Sequence, residues 1–160
     1  MSKKKVSQTA QLKQRIREEF VKCSQDSVYF FKKYAIIQHP TRGKIPFHLY
    51  DFQAKTLPQF EENRYNIVLK GRQLGLSTLT AGYALWKMLF VDDYQVLVIA
   101  TTQDTAKALV TKVQLMYEKL PTWLKRTAKE DVFNKLELTF RNGSSIKAVS
   151  SSEKSARSPS

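Results

Sequence analysis

Apolar residues recur at helical spacing between Gln11 and Cys23, where Leu12, Ile16, Phe20 and Val21 share a face. The polar residues 1–9 ahead of them read as disordered. Ser24 or Asp26 is placed to cap a second short helix carrying Val28, Phe30, Phe31 and Tyr34. Residues 38–48 hold Pro40, Gly43 and Pro46 and read as a loop. Asp51 is then expected to cap a helix from about Phe52 to Glu62, with Pro58 as an irregularity. From there the periodicity alternates. Tyr65 to Leu69 predicts a short strand, Lys70 to Ser77 a glycine-bearing turn, and Thr78 to Phe90 a helix whose Trp86 to Phe90 face reads as core. Gln95 to Ala100 predicts a buried strand, and Gln103 to Leu120 a helix closed by Pro121. Leu136 to Phe140 and Ser145 to Val149 flank Asn142-Gly143, a strong hairpin signal. Ser150 to Ser160 is serine-rich without an apolar anchor, and there is no internal repeat. Strand–helix–strand–helix order predicts an α/β fold with a parallel sheet and right-handed crossovers.

Composition narrows the setting. A chain of 160 residues with 42% hydrophobic content supports one domain with one core. No apolar run approaches the roughly 18 residues of a membrane span, and polar residues follow the basic start where a signal peptide would be apolar. Cys23 is the only cysteine, which excludes an internal disulfide, argues against cysteine-based metal sites and fits a reducing cytoplasm. His39 and His48 have no partners at metal-ligand spacing. The formal net charge is +13, and residues 1–50 carry 11 Lys/Arg against 3 Asp/Glu. Such an excess favours a polyanionic partner through counterion release, nucleic acid first. A solubilising surface with a basic tail is the alternative. Aromatic residues do not interleave with the basic ones, so base stacking on single strands is not indicated.

The turn Lys70-Gly71-Arg72-Gln73-Leu74-Gly75-Leu76-Ser77-Thr78 stands where a phosphate-binding loop belongs, after an expected strand and before a helix. That geometry aims backbone N–H groups and the helix dipole at an anion. Gly75 permits close approach of backbone to phosphate, and Ser77 holds the hydroxyl position that ligates Mg²⁺. The standard loop, G-x-x-x-x-G-K-[ST], fails at two places: Leu76 stands where the lysine belongs and Lys70 where the first glycine belongs. Two unit charges about 4 Å apart at an effective dielectric near 20 interact by about 4 kcal/mol, so a cation is still required. Lys70 or Arg72 supplies it from the other end of the loop. The residues alone leave two readings open, a phosphate-binding loop and a strand-to-helix turn with incidental glycines.

The nine residues from Lys70 to Thr78 resemble the deviant Walker A loop of tailed-bacteriophage large terminases, which often read R-Q-x-G-x-[ST]-T and in several members move the lysine to the start. Asp51-Phe52-Gln53 resembles the upstream aromatic–glutamine motif of that family, with Gln53 standing 17 residues before Lys70. Val98-Ile99-Ala100-Thr101-Thr102 resembles the strand after the Walker A helix. Leu138-Thr139-Phe140-Arg141-Asn142-Gly143-Ser144-Ser145-Ile146, followed by Ser150-Ser151-Ser152-Glu153-Lys154-Ser155-Ala156-Arg157, resembles the family's N-G-S hairpin and its S-S-x-x-x-x-A-R segment. The likeness spans about residues 45–160.

The resemblance implies a P-loop NTPase-like parallel sheet of the additional-strand type with flanking helices, incomplete and preceded by a helical segment. Residues 1–45 would be the basic helical segment, and 46–160 the nucleotide-binding portion of the ATPase domain. It implies ATP and Mg²⁺ as cofactors. Phe52 and Gln53 would meet adenine. Lys70, Gly71, Arg72, Gln73, Leu74, Gly75, Leu76, Ser77 and Thr78 would form the phosphate loop, with Lys70 on the phosphates, Gln73 ordering the loop and Ser77 on the metal. Arg72 would sense phosphate or stabilise the transition state in cis, and Arg157 would act as an arginine finger. Implied partners are double-stranded DNA, a portal protein, a small terminase subunit and further copies in a ring, in the host cytoplasm at the procapsid and with no membrane. The family's Asp-Glu strand and its nuclease domain are absent from these residues, so the chain alone is expected to hydrolyse ATP negligibly. Two other readings stand: a helicase-like ATPase fragment, against which Leu76 argues, and a non-catalytic fragment that binds DNA or portal through its charge.

Overall fold

No glycine or proline interrupts the first 25 residues, and a continuous helix results. The structure, a computed structural model, describes residues 2–151, with side chains from residue 9 onward. Helix α1 (Ser2–Gln25) therefore includes residues 2–9 of the segment expected to be disordered. It is fastened at its C-terminal end, where Cys23 is buried, the Trp86 indole donates to the Cys23 carbonyl at 2.7 Å, and Phe20 meets Phe90 edge-on at 5.1 Å. Asp26 caps α2 (Ser27–Tyr34) as expected, accepting the Tyr29 N–H at 2.8 Å. Such a cap stabilises by about 1 kcal/mol.

Residues 38–48 correct the loop reading. β1 (Ile36–His39) and β2 (Gly43–Pro46) pair antiparallel around Pro40-Thr41-Arg42, with Ile37 opposite Ile45. The turn-forming residues make a tight hairpin, and Pro46 ends its strand, where a missing N–H costs little. Helix α3 (Asp51–Glu62) also departs from expectation, since Tyr50 occupies the cap position and Asp51 lies within the first turn. There its carboxylate still favours the helix dipole.

The remaining elements are α4 (Leu76–Phe90), β3 (Gln95–Ala100), α5 (Gln103–Lys119), α6 (Thr122–Lys125), β4 (Glu130–Asn134), β5 (Glu137–Phe140) and β6 (Ser145–Ser150). Four strands form a central sheet in the order β3-β6-β5-β4. β3 and β6 run parallel, from Gln95 opposite Ser145 to Ala100 opposite Ser150, while β5 pairs antiparallel with both β4 and β6. The fold is mixed α/β with helices flanking the sheet. The expected parallel pairing is present between β3 and β6 and the expected hairpin between β5 and β6, so the sheet is mixed rather than parallel throughout.

Two further expectations fail at the sheet. Tyr65 to Leu69 forms no strand and has no ladder partner among the described residues, and Ile67 and Leu69 are each 100% exposed. A strand exists only by pairing, and no described strand lies beside this one. β3 is an edge strand, with Leu97 60% and Ile99 61% exposed, rather than a strand buried on both faces. Its other face, Val96, Val98 and Ala100, packs on the core, whose buried centre includes Phe31, Leu57, Leu85, Val113, Met116 and Ile146. No helix among the described residues is long and apolar enough to cross a membrane.

Asn142-Gly143-Ser144 sets the position of β3. Gly143 has φ +81°, the left-handed conformation that glycine adopts without strain. Asn142 donates through Nδ2 to the Met88 carbonyl at 2.9 Å, and its own carbonyl accepts the Asp93 N–H at 3.0 Å. Ser144 Oγ donates to the Val91 carbonyl at 2.8 Å and accepts the Tyr94 N–H at 3.0 Å. The hairpin thereby clamps the end of α4 to the start of β3.

Candidate functional site

The loop 70–75 enters α4 through backbone conformations that few residues tolerate. Gly75, at the N-cap, has φ +69°. Gln73 is also left-handed at φ +64°, a conformation costing a non-glycine residue about 1–2 kcal/mol. Thr78 and Leu79 donate their N–H groups back to the Gly75 carbonyl at 3.0 and 2.9 Å, which starts the helix. The leading N–H groups of a helix have no acceptor within it and carry the positive end of its dipole. The nine residues from Lys70 to Thr78 include two cations and no carboxylate. An anion is therefore favoured at this helix start.

Gln53 holds the loop in place. Its side chain is fully buried. Oε1 accepts the Tyr50 N–H at 3.0 Å, which fixes the start of α3, and Nε2 donates to the Leu74 carbonyl at 3.0 Å. A Cβ added at Gly75 would stand 2.8 Å from Nε2, so the glycine is needed for this approach as well as for its φ. Sequence reasoning placed Gln53 against an adenine. In this structure its amide joins two backbone segments 21 residues apart, Gln53 to Leu74.

Lys70 and Ser77 line one cavity of about 200 Å³ with Phe60, Val68, Leu76, Thr80 and Leu109. The Lys70 ammonium folds back over the loop and donates to the Gly71 carbonyl at 3.3 Å. Leu76, in the place of the usual lysine, is only 8% exposed and belongs to the core. A lysine there would bury its charge. Arg72 and Gln73 are exposed on the loop, outside that cavity, and Thr78 is half-buried in the first turn of α4.

Phe52 stacks on Tyr50, with ring centroids 5.7 Å apart and planes within 9°. Both rings are open to solvent, at 40% and 64% exposure. Tyr50 was missed from the sequence, although an aromatic pair two residues apart at a helix start is a legible signal. Arg157 and the segment 152–157 lie outside the described residues. Among the described residues no group of three or more His, Cys, Asp or Glu is gathered to hold a metal. A Mg²⁺ ion at Ser77 would take its other ligands from phosphate oxygens and water, its usual habit. The helix start and the two cations of the loop suit an anion such as a phosphate group. No family model matches the chain.

Proposed function

We propose that residues 46–160 are the ATP- and Mg²⁺-binding portion of a DNA-packaging motor of the large-terminase kind, built on a P-loop NTPase-like core. The observation that carries this reading is the loop 70–75, left-handed at Gly75 and held by Gln53 against the start of α4. Backbone N–H groups at Gly75 to Ser77 bind the phosphates, and the Lys70 ammonium offsets their charge from across the loop. The exposed Tyr50–Phe52 pair offers a face to the base. Ser77 would hold Mg²⁺, which would supply positive charge to screen the phosphates. Arg72 meets the terminal phosphate and Gln73 orders the loop. Arg157 is assigned the arginine-finger role, reaching the ATP of a neighbouring subunit. In the complete motor the hydrolysis drives double-stranded DNA into a procapsid, with a portal, a small terminase subunit and further copies as partners. The +13 charge favours the DNA contact.

The test is titration of a fluorescent ATP analogue with Mg²⁺ against the wild type and Lys70→Ala. Lys70 is exposed, so water screens its charge, and about 1.4 kcal/mol, or roughly tenfold in Kd, is expected. Equal affinity for the two proteins overturns the role of Lys70, and no affinity in the wild type overturns the nucleotide reading.

A further inference from the structure

Helix α1 turns Lys13, Ile16, Arg17 and Phe20 toward α6, a spacing of three, one and three residues that places them on one helical face. Across the cleft stand Trp123, Arg126 and Thr127, and the cavity between them measures about 430 Å³. That volume is within the range of sites that bury a ligand. A second cavity of about 230 Å³ continues from it, sharing Ile16 and Trp123 and reaching Arg15, Glu19, Lys33 and Tyr34. The floor is aromatic and aliphatic, with Trp123 edge-on to Tyr34 at 5.8 Å.

The charges along this cleft are one-sided. Among the described residues, Lys13, Arg15, Arg17 and Arg126 form no ion pair with a carboxylate. Glu19 is the one acid on the lining, and it is already engaged by Lys33 at 2.7 Å and by the hydroxyls of Tyr29 and Tyr34. Half-buried apolar surface rimmed by unpaired cations needs a ligand with an apolar side and carboxylates beside it. A DNA backbone satisfies the cations and leaves the apolar floor uncovered.

We infer that the cleft between α1 and α6 is a docking groove for an acidic amphipathic protein segment. An apolar side chain of the partner seats against Ile16, Phe20 and Trp123, and flanking carboxylates meet Lys13, Arg17 and Arg126. The groove is separate from the loop at residues 70–78, and this assignment stands whether or not that loop binds nucleotide.

The test uses the full chain and a fluorescein-labelled helical peptide with leucines along one face and glutamates elsewhere. Anisotropy gives its affinity, and Trp123 fluorescence reports contact. The same peptide with lysines replacing the glutamates, and a random-sequence DNA duplex, serve as comparisons. The double variant R17E/R126E changes two exposed side chains, and circular dichroism confirms that it folds. The expected result is saturable, salt-sensitive binding of the glutamate peptide, a change in Trp123 emission, and at least tenfold weaker binding by the variant. Equal binding of the lysine peptide, or no effect of R17E/R126E, overturns the assignment. So does DNA that displaces the peptide and loses affinity in the same variant, because the rim would then be a phosphate contact.

Discussion

Replacing Gln53 by alanine cuts a side-chain hydrogen bond that ties the start of α3 to the loop. It removes the bond from the Tyr50 N–H and the bond to the Leu74 carbonyl, each 3.0 Å. A backbone group left without a partner in a dry site costs about 1–3 kcal/mol. Both groups sit at a partly buried boundary, so the low end applies to each. The lost methylene adds about 0.8 kcal/mol. The sum is about 3 kcal/mol. With a urea slope near 2 kcal/mol/M, the unfolding midpoint falls by about 1.5 M. Emission from Trp86 and Trp123 follows the transition. Gln53→Glu separates the two bonds. It keeps an acceptor for Tyr50 and sets a carboxylate oxygen against the Leu74 carbonyl. Folding then raises the pKa of that carboxyl, so the variant gains stability as pH falls, when a protonated oxygen can donate to Leu74. A nucleotide titration adds an independent readout. A glutamine that holds the loop loses ATP and GTP together on mutation, whereas one that reads the base loses ATP alone. A Gln53→Ala midpoint within about 0.3 M of wild type would refute the tether.

Further outcomes follow from single residues. Gly143→Ala forces a left-handed alanine and drives its Cβ against the Asp93 carboxylate, so thermal unfolding should show a loss of about 2 kcal/mol and β3 should exchange its amide hydrogens faster. The Lys33 ammonium, with the hydroxyls of Tyr34 and Tyr29, holds the Glu19 carboxyl below its ordinary 4.5. A lowered carboxyl stabilises the fold above pH 4.5 and loses that contribution as pH falls through its folded value. Glu19→Gln should therefore cost about 1–3 kcal/mol at pH 7 and almost nothing in strong acid, read as urea midpoints at the two pH values. Burial pushes the Cys23 thiol up to about 12, so a disulfide reagent at neutral pH should modify it only at the rate of unfolding. A modification rate independent of urea would contradict its burial.

Local chemistry was legible in the sequence where it decided the structure. The Asp26 cap, the helix from about residue 78 to 90, the strand Gln95–Ala100 and the Asn142-Gly143 turn each follow from side chains acting on their own neighbourhood. Pairing was not legible, because it depends on distant residues. Tyr-Asn-Ile-Val-Leu at 65–69 carries a strand pattern whether or not a neighbour is present, and here none is among the described residues. β4 escaped for the opposite reason. It is exposed along its whole length, so no apolar alternation marks it. The hairpin of β1 and β2 was hidden by its prolines and glycine, which signal a turn without saying that strands flank it. At the candidate site, the glycine turn that opens α4 was legible from spacing. The burial of Gln53 was not, since a glutamine in a first helical turn is ordinarily solvated and only the returning loop covers it.

Among the described residues the last strand in chain order, β6, lies inside the sheet between β3 and β5, and its partner β3 precedes it by 50 residues, Gln95 to Ser145. On a ribosome adding about 5–20 residues per second, β3 waits roughly 3–10 s for β6 to appear. Throughout that interval Gln-Val-Leu-Val-Ile-Ala has neither a charge nor a proline to deter another nascent chain. The yield of folded protein is then set by kinetic competition during synthesis. Slower translation between codons 100 and 145, or a holdase that binds short apolar strands, should shift that competition without altering a single contact in the finished fold.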